Sequence, residues 1–467
     1  MADLRRARDR AVHADLVEIR LDGVADLDVA GALAGRTRPV VVTCRPVWEG
    51  GRFDGDEGTR LSILGEAVRL GAEFVDVEWA ADWRSLPRGE RTELVLSMHD
   101  YHAPPADLVA RVRAMRRSGQ ALIKVAVMAR GLGDCLTLRE AVRDAGPVVA
   151  VAMGPAGQVG RLCPWLVGSV WTYGGSAAPG QVPARELAET YRVRSTSTST
   201  AIYGVVGEPL AHSASPAMHN PAFGDAGLDA VYVPFETSDA GEFLRVAEAI
   251  GVAGASVTAP LKSRLVELGV APDAMARRVG AVNTLRQANG RWEGRNFDVA
   301  GFLAPLERRA VPLTGRRAVV LGAGGAARAA AWALKAHGAR VAIAARRRAE
   351  AERLAQELQV TVAAWPPVPP WDVLVNATPV GTWPDAARSP IEGSALDGGL
   401  VYDLVYNPPE TALVRAARAA GAATIGGLEM LVGQACRQFE WWTGRTAPVA
   451  AIERGALEFV QRRSGGS

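Results

Sequence analysis

The chain has 467 residues, 48% hydrophobic and 22% charged, with a formal net charge of +3. Such a length calls for more than one domain, and the apolar content suffices for several cores, which excludes a disordered or fibrous protein. The small net charge gives no reason to expect nucleic acid as a partner.

Four scattered cysteines, Cys44, Cys135, Cys163 and Cys436, lack the spacing of a disulfide framework or a zinc site. No apolar run reaches membrane length and no signal peptide is evident, so the expectation is a cytoplasmic protein with no metal and no membrane partner. Of 53 lysines and arginines only three are lysines: Lys124, Lys262 and Lys335. Arginine keeps its proton, whereas lysine can become a neutral amine that forms an imine or relays a proton, which marks each lysine as a candidate for chemistry.

From Leu16 onward, apolar runs of strand type alternate with helical stretches. The runs are Leu16–Leu21, Val40–Cys44, Phe74–Val77, Glu93–Ser97, Leu122–Met128, Val148–Met153 and Ser169–Tyr173. This rhythm predicts a parallel α/β fold, and seven runs in roughly 175 residues predict a (β/α)8-type barrel lacking one strand. Barrels of this kind place their active sites at the C-terminal ends of the strands. Glu18, Arg20, Arg45, Glu49, Glu78, His99, Lys124 and Arg161 gather there, with Gln181 in the loop after the last run.

Lys124 stands inside an apolar strand. An unpaired buried ammonium is costly, so its pKa is expected to fall and leave a nucleophilic amine; the alternative is a lysine paired with Glu18 or Glu78. His99, at a strand end, is the acid–base candidate, and His102 reads as a loop residue.

Several segments of this region resemble the type I 3-dehydroquinate dehydratases: ADLVEIRLD at Ala14–Asp22, TCRPVWEGGRFDGDE at Thr43–Glu57, SMHDYHAPP at Ser97–Pro105, Ile123-Lys124-Val125 and APGQ at Ala178–Gln181. The resemblance implies that Lys124 forms a Schiff base with the substrate ketone and that His99 moves the α-proton. By the same resemblance Glu49 orients His99, Arg161 and Arg45 hold the substrate, and Glu18, Arg20 and Gln181 contact its hydroxyls. Where the family usually has Ser, four residues before that glutamine, this chain has Ala177. Met1-Ala2-Asp3 matches the end of the family's first strand, so the rest of that strand is expected upstream of Met1.

The polar run Arg194–Thr200 reads as an interdomain linker. After it, Ala201–Val206 reads as a strand. His212 to Pro216 reads as a loop opening a helix, with Ser213 and Ser215 near N-cap positions, where they cap the helix or face a carboxylate.

Further on, Ala318–Leu321 reads as a buried strand, Gly322–Ala327 as a tight turn, the stretch to Ala336 as a helix, and Arg340–Ala345 as a second strand. Glycines there let the backbone approach a pyrophosphate at a helix N-terminus, the arrangement of a dinucleotide site. Arg346, Arg347 and Arg348 follow the second strand with no acid before Glu350, which favours NADP over NAD. Lys335, near the end of the turn helix, is explained by the helix C-terminal dipole.

From Ala201 to Arg462 an ordered series of motifs resembles the shikimate dehydrogenases: G-x-P-x-x-H-S-x-S-P at Gly207–Pro216, VTAPLK, AVNT, GAGGAAR, NATPVG, YDLVYNP and GGLEMLVGQA. The resemblance implies a Lys262–Asp298 pair at the hydride-transfer carbon. It also implies a substrate site of Ser213, Ser215, Thr258, Asn283, Tyr406 and Gln434, and a nucleotide site of Gly322, Gly324, Gly325, Ala326, Arg346, Thr378 and Gly427. Phe297 stands where the family commonly has Thr.

The two resemblances divide the chain into a dehydratase barrel (1–193), a linker (194–200), a substrate domain (201–300, joined by C-terminal helices in 438–467) and a Rossmann NADP-binding domain (301–437). Together they resemble the fused shikimate-pathway enzyme of plants, converting 3-dehydroquinate to 3-dehydroshikimate and then, with NADPH, to shikimate. Two alternatives remain at this point. One is a quinate or shikimate dehydrogenase with a weak or inactive barrel, which comparison of quinate with shikimate would reveal. The other is a non-catalytic ligand sensor, against which the retention of Lys124, His99, Lys262 and Asp298 speaks.

Overall fold

The computed structural model describes residues 1–391, 396 and 399–464. Residues 465–467, the end of the expected C-terminal helical region, lie outside them. The chain divides into two compact units, one formed by Met1–Thr200 with Val233–Thr237 and Glu242–Ile250, the other by the remainder from Ala201.

The first unit carries six parallel strands hydrogen-bonded in chain order: β1 (Val17–Arg20), β2 (Val40–Thr43), β3 (Phe74–Glu78), β4 (Glu93–Asp100), β5 (Leu122–Met128) and β6 (Val148–Met153). All four residues of β2 are buried, as expected of a parallel strand covered on both faces. Among the described residues β1 and β6 are the edges of this ladder, so the sheet is an open arc of a barrel.

The seventh expected strand, Ser169–Tyr173, is not one. Val170 N–H does donate to Val148 O (2.9 Å), but the Ser169 hydroxyl accepts from Ala150 N–H (2.9 Å) and donates to Trp171 O (2.7 Å). A side chain thus takes over ladder bonds, and the run follows β6 as irregular chain. Its Trp171 and Tyr173 pack against Val95, Leu122, Ala126, Val149, Val151 and Met153. The expected linker is likewise tied down: Arg194 donates to Asp15 and to His13 O, and Trp165 Nε1–H donates to Thr196 Oγ1.

A mixed sheet follows, in the order β10-β12-β11-β9-β7-β8. Its strands are β7 (Ala201–Gly207), β8 (Ala230–Glu236), β9 (Val252–Val257), β10 (Ala271–Pro272), β11 (Thr284–Ala288) and β12 (Arg291–Arg295). The third sheet is parallel, in the order β15-β14-β13-β16-β17-β18, from β13 (Arg317–Leu321), β14 (Arg340–Ala344), β15 (Thr361–Val362), β16 (Val373–Asn376), β17 (Leu400–Asp403) and β18 (Ala423–Ile425). Along β13, Ala318 and Val320 enter one apolar core and Val319 and Leu321 the other, the two-residue alternation of a strand between two layers. The turn helix spans Gly325–Ala336, and Lys335 Nζ donates to Leu358 O (2.8 Å).

The boundaries expected at 300/301 and 437/438 fall inside continuous helices, Asp298–Arg308 and Gly427–Thr443. The reason is packing. Met430 belongs to the core of the parallel sheet, whereas Val432, Ala435, Phe439, Trp441 and Trp442 of the same helix belong to the core under the mixed sheet. The two helices touch at Gly301, where a Cβ would lie 2.8 Å from Met430 O.

Candidate functional site

In the first unit Arg20, Glu78 and His99 lie at the C-terminal ends of β1, β3 and β4 and Arg45 just after β2, whereas Lys124 is the third residue of β5. Alternation along β5 turns Lys124 to the same face as Leu122 and Ala126, inside the arc. Its Nζ donates to Asp76 Oδ2 at 2.9 Å and lies 4.6 Å from the centroid of the Tyr173 ring. Burial works against the Lys124 ammonium, but Asp76, with Tyr173 and Glu18, outweighs it and holds the pKa above that of an ordinary lysine. The expected fall is thereby corrected, and the expected partners Glu18 and Glu78 are replaced by Asp76. Glu18 accepts from Thr43 Oγ1 (2.7 Å) instead.

Asp76 opens a line of buried charges. Arg45 pairs with Asp76 (2.9 Å) and Glu78 (2.6 Å) and donates to Ser97 Oγ; Arg60 pairs with Glu78 (2.5 Å) and reaches Glu57 (2.6 Å). Burial disfavours the Asp76 carboxylate, yet Arg45 and Lys124 prevail and keep it ionised far below the usual range. Arg45, expected to hold substrate, is 2% exposed with its fork fully engaged beneath the site. Asp76 and Arg60 were not singled out from the sequence. The available signal was two acids two apart, Asp76 and Glu78, in an otherwise apolar strand.

His99 packs against Tyr101, rings 6.2 Å apart and stacked. Glu49 Oε1 accepts from His99 N–H (2.6 Å) and faces Nδ1 at 3.2 Å. Burial, helped by the cations Arg45 and Lys124, pushes the His99 pKa well below its ordinary value, so the imidazole is neutral. With Glu49 ionised, Nδ1–H donates to it and Nε2 is left as the acceptor. Burial also pushes the Glu49 carboxyl up to about 7, against the pull of Arg45.

Arg161 is buried with backbone partners only, Ala152 O (3.1 Å) and Pro179 O (3.0 Å), and burial lowers its pKa to about 10. Among the described residues no carboxylate pairs with it. Arg20 is bidentate to Asp22 (2.8 Å each), and Gln181 Oε1 accepts from Ala177 and Ala178 N–H.

In the second unit Lys262 Nζ donates to Asp298 Oδ2 at 2.5 Å. Asn283 fixes the other oxygen, Nδ2 to Oδ1 at 2.8 Å, and also donates to Gln434 Oε1 (3.2 Å). Asn283 is itself held by Thr284 Oγ1 and Phe297 N–H, both on its Oδ1 at 2.8 Å. Phe297 therefore contributes a backbone donor. Tyr406 hydroxyl donates to His212 O (3.3 Å), which brings the YDLVYNP segment to the serine loop.

The helix spans Ser215–Asp225 with Ala214 at its N-cap, and the Ser213 hydroxyl accepts from the first helical N–H, that of Ser215, at 3.4 Å. Ser215 instead lies against the Tyr232 hydroxyl, which donates to Ser256 Oγ (2.7 Å). Thr258 N–H donates to Val206 O at the end of β7.

Beside this pair a cavity of ≈ 580 Å³ is lined by Gly322, Ala323, Gly324, Arg346, Arg347, Trp365 and Thr378, among others. Gly322 has φ +105, which strains an L side chain, and a Cβ at Gly324 would meet no atom within 4 Å. No side chain caps the Gly325–Ala336 helix, leaving its first N–H groups toward the cavity with Ala326 in the first turn. Arg347 pairs with Glu350 and Arg348 with Glu352, while among the described residues no acid pairs with Arg346. Gly427 starts its helix against Leu404 O. Thr378 donates to Asn376 Oδ1 (2.7 Å). An open glycine cradle, free N–H groups and an unpaired guanidinium fit a phosphorylated dinucleotide.

Among the described residues no group of His, Cys, Asp and Glu could hold a metal, and no helix is long and apolar enough to cross a membrane. The family models that match are type I 3-dehydroquinase over residues 1–198, the shikimate dehydrogenase substrate binding domain over 205–285 and the shikimate 5'-dehydrogenase C-terminal domain over 427–454. A chloroplastic bifunctional 3-dehydroquinate dehydratase/shikimate dehydrogenase of Arabidopsis thaliana is 33% identical over 95% of this chain and 80% of its own length. An NADP(+) shikimate dehydrogenase of Halobacterium salinarum is 48% identical over 55% of this chain and 98% of its own. The Thermus thermophilus shikimate 5-dehydrogenase, solved with NADP(H) and shikimate, superposes with a TM-score of 0.52 at 35% identity, covering 56% of this chain and 100% of that one. With both halves matched in one relative along most of its length, the chain belongs to the family of bifunctional 3-dehydroquinate dehydratase/shikimate dehydrogenases.

Proposed function

We propose that the first unit dehydrates 3-dehydroquinate through Lys124 and that the second reduces the resulting ketone, 3-dehydroshikimate, to shikimate with NADPH. Residues 1–193 would carry the first activity, 201–300 with the C-terminal helices the substrate side of the second, and 301–437 its nucleotide side. The observation that carries this reading is the position of the two lysine–carboxylate pairs. Lys124–Asp76 is buried within β5 and β3, inside the arc and beside neutral His99. Lys262–Asp298 abuts the glycine turn, where a Cβ at Gly325 would lie 3.4 Å from Lys262 Cδ.

In the dehydratase site Lys124 rests as an ammonium and must lose a proton before attack; neutral His99 is the base at hand. The amine adds to the ketone, and His99 returns that proton to the oxygen, which leaves as water; the protonated imine so formed draws electrons from the adjacent carbon, and His99 is again neutral. His99 Nε2 takes the proton from that carbon, then delivers it to the departing hydroxyl, which leaves as water. Hydrolysis of the imine restores Lys124 and releases the unsaturated ketone. Glu49 holds the ring, and its carboxylate stabilises the imidazolium. Arg161, a buried cation without an acidic partner, suits the substrate carboxylate, and Glu18, Arg20 and Gln181 border the hydroxyls.

In the reductase site NADPH supplies the hydride when bound. Arg346 would hold its extra phosphate, and Gly322, Gly324, Gly325, Ala326, Thr378 and Gly427 would form its cradle. Lys262 donates a proton to the oxygen that gains negative charge, and Asp298, fixed by Asn283, aims the ammonium. Ser213, Ser215, Thr258, Tyr406 and Gln434 take the carboxylate and hydroxyls. We further place the protein in the cytoplasm, a reading supported by four unpaired cysteines, three of them buried.

Purified protein given 3-dehydroquinate should develop the absorbance of an unsaturated ketone and should then oxidise added NADPH. Absence of the first signal, with NADPH consumed on added 3-dehydroshikimate, would leave only the reductase. Oxidation of quinate in preference to shikimate would overturn the assignment of the second site.

A further inference from the structure

Lys124 is flanked by a group that the mechanism above does not use. The ring of Tyr173 lies 4.6 Å from Lys124 Nζ, on the irregular run that follows β6. Trp171 Nε1–H points at the buried Tyr173 hydroxyl, whose own proton finds no acceptor among the described residues. A donor left without an acceptor in a protein interior is unfavourable unless something bound there accepts from it. Trp171 is held by an edge contact with Phe74 (5.4 Å) and by the apolar interior of the arc, so the pair is set by packing.

We propose that Tyr173 is a further residue of the dehydratase site, its ring holding the Lys124 nitrogen in its cationic states and its hydroxyl donating to an oxygen of the bound hydroxy-ketone. The assignment rests on the dehydratase reading of this unit. A ring face attracts an ammonium or a protonated imine alike, so Tyr173 favours the nitrogen both before and after the carbon–nitrogen bond forms. The other ionisable groups around Lys124 are Asp76 from β3, Glu18 from β1, Arg45 after β2 and His99 from β4. Among the described residues Tyr173 alone brings a π face within cation–π distance of the amine. Its hydroxyl can donate to substrate without giving up an acceptor inside the protein.

The test uses the full chain, with 3-dehydroquinate and sodium borohydride to trap the imine, read by the mass of the reduced adduct, beside steady-state kinetics of Y173F and Y173L. Y173F keeps the ring and should raise KM about fivefold, the effect of one neutral hydrogen bond, with kcat nearly unchanged. It should also keep the wild-type pH midpoint of trapping. Y173L should lower kcat about tenfold and move that midpoint to lower pH, because the cation loses its π face. An unchanged KM in Y173F, or an unchanged midpoint in Y173L, overturns the assignment. Should Y173L fail to fold, the KM-against-kcat split in Y173F decides alone. A wild-type chain that yields no adduct overturns the dehydratase reading and the Tyr173 assignment with it, whereas a trapped wild type with an indifferent Y173F overturns the second only.

Discussion

The two lysine–carboxylate pairs are alike in composition and opposite in setting. Lys124 and Asp76 are 6% and 0% exposed, and Asp76 continues into Arg45, Glu78 and Arg60, all buried. Lys262 and Asp298 are 22% and 5% exposed, and the aspartate is clamped by the neutral amide of Asn283. A lysine that becomes a covalent link must be held still and kept from water, which a buried ionic lattice provides. A lysine that passes a proton needs a path to exchange it, and an open pair with one fixed oxygen provides that.

The sharpest way to break the contrast is to remove the acid of the buried pair. D76N leaves Lys124 and Arg45 without their shared anion in a dry interior, and loss of a partner from a buried pair costs on the order of 3–5 kcal/mol. Denaturant unfolding of the first unit should therefore shift strongly toward lower denaturant, with dehydration abolished. D298N disturbs a more open pair, so its unfolding midpoint should move far less. Its cost should fall instead on chemistry, roughly 10²–10⁴-fold in the NADPH oxidation rate, the range for a lost acid–base group. If D298N destabilised its unit as much as D76N does, the proposed division of roles would fail.

The smallest effect concerns Glu49. Its carboxyl titrates at about 7, so dehydration in the wild type should decline as pH falls through 7, when the neutral form no longer supports the His99 imidazolium. E49Q should show a lower plateau without that acidic limb. The stability sign runs the other way: the folded value lies above the ordinary 4.5, so ionising Glu49 costs stability as pH rises between the two. A melting series across that window should fall with pH in the wild type and fall less in E49Q.

Much of this was legible because it is local. The Gly322–Ala327 turn between two apolar runs, the rarity of lysine, and His99 at the end of a strand all declare themselves within a dozen residues. What escaped depends on distant partners. Asp76 meets Lys124 across 48 positions, and without that contact the lysine reads as unpaired with a depressed pKa, the reverse of what the structure holds. Ser169–Tyr173 has strand composition, yet one hydroxyl diverts its ladder bonds. Ser213 and Ser215 flank the N-cap position, and only Ser213 takes a helix-start N–H, while Ser215 turns to the distant Tyr232 hydroxyl. The limits at 300/301 and 437/438 fall within helices for a related reason: periodicity reports that a helix is amphipathic, not that its two ends serve different cores.

That last feature bears on how such an enzyme can be recombined. The helix Gly427–Thr443 buries Met430 in the nucleotide lobe and Phe439 and Trp442 in the substrate lobe. A chimera that exchanges the nucleotide lobe for a relative's, with its breakpoint at residue 437, would join two half-helices of different parentage, and one of the two cores would inherit side chains shaped for another partner. Because the helix serves both cores, an exchange keeps both native only when the two lobes travel together with it and with Asp298–Arg308, against which it packs at Gly301, and such whole-reductase swaps are the ones expected to express as folded protein.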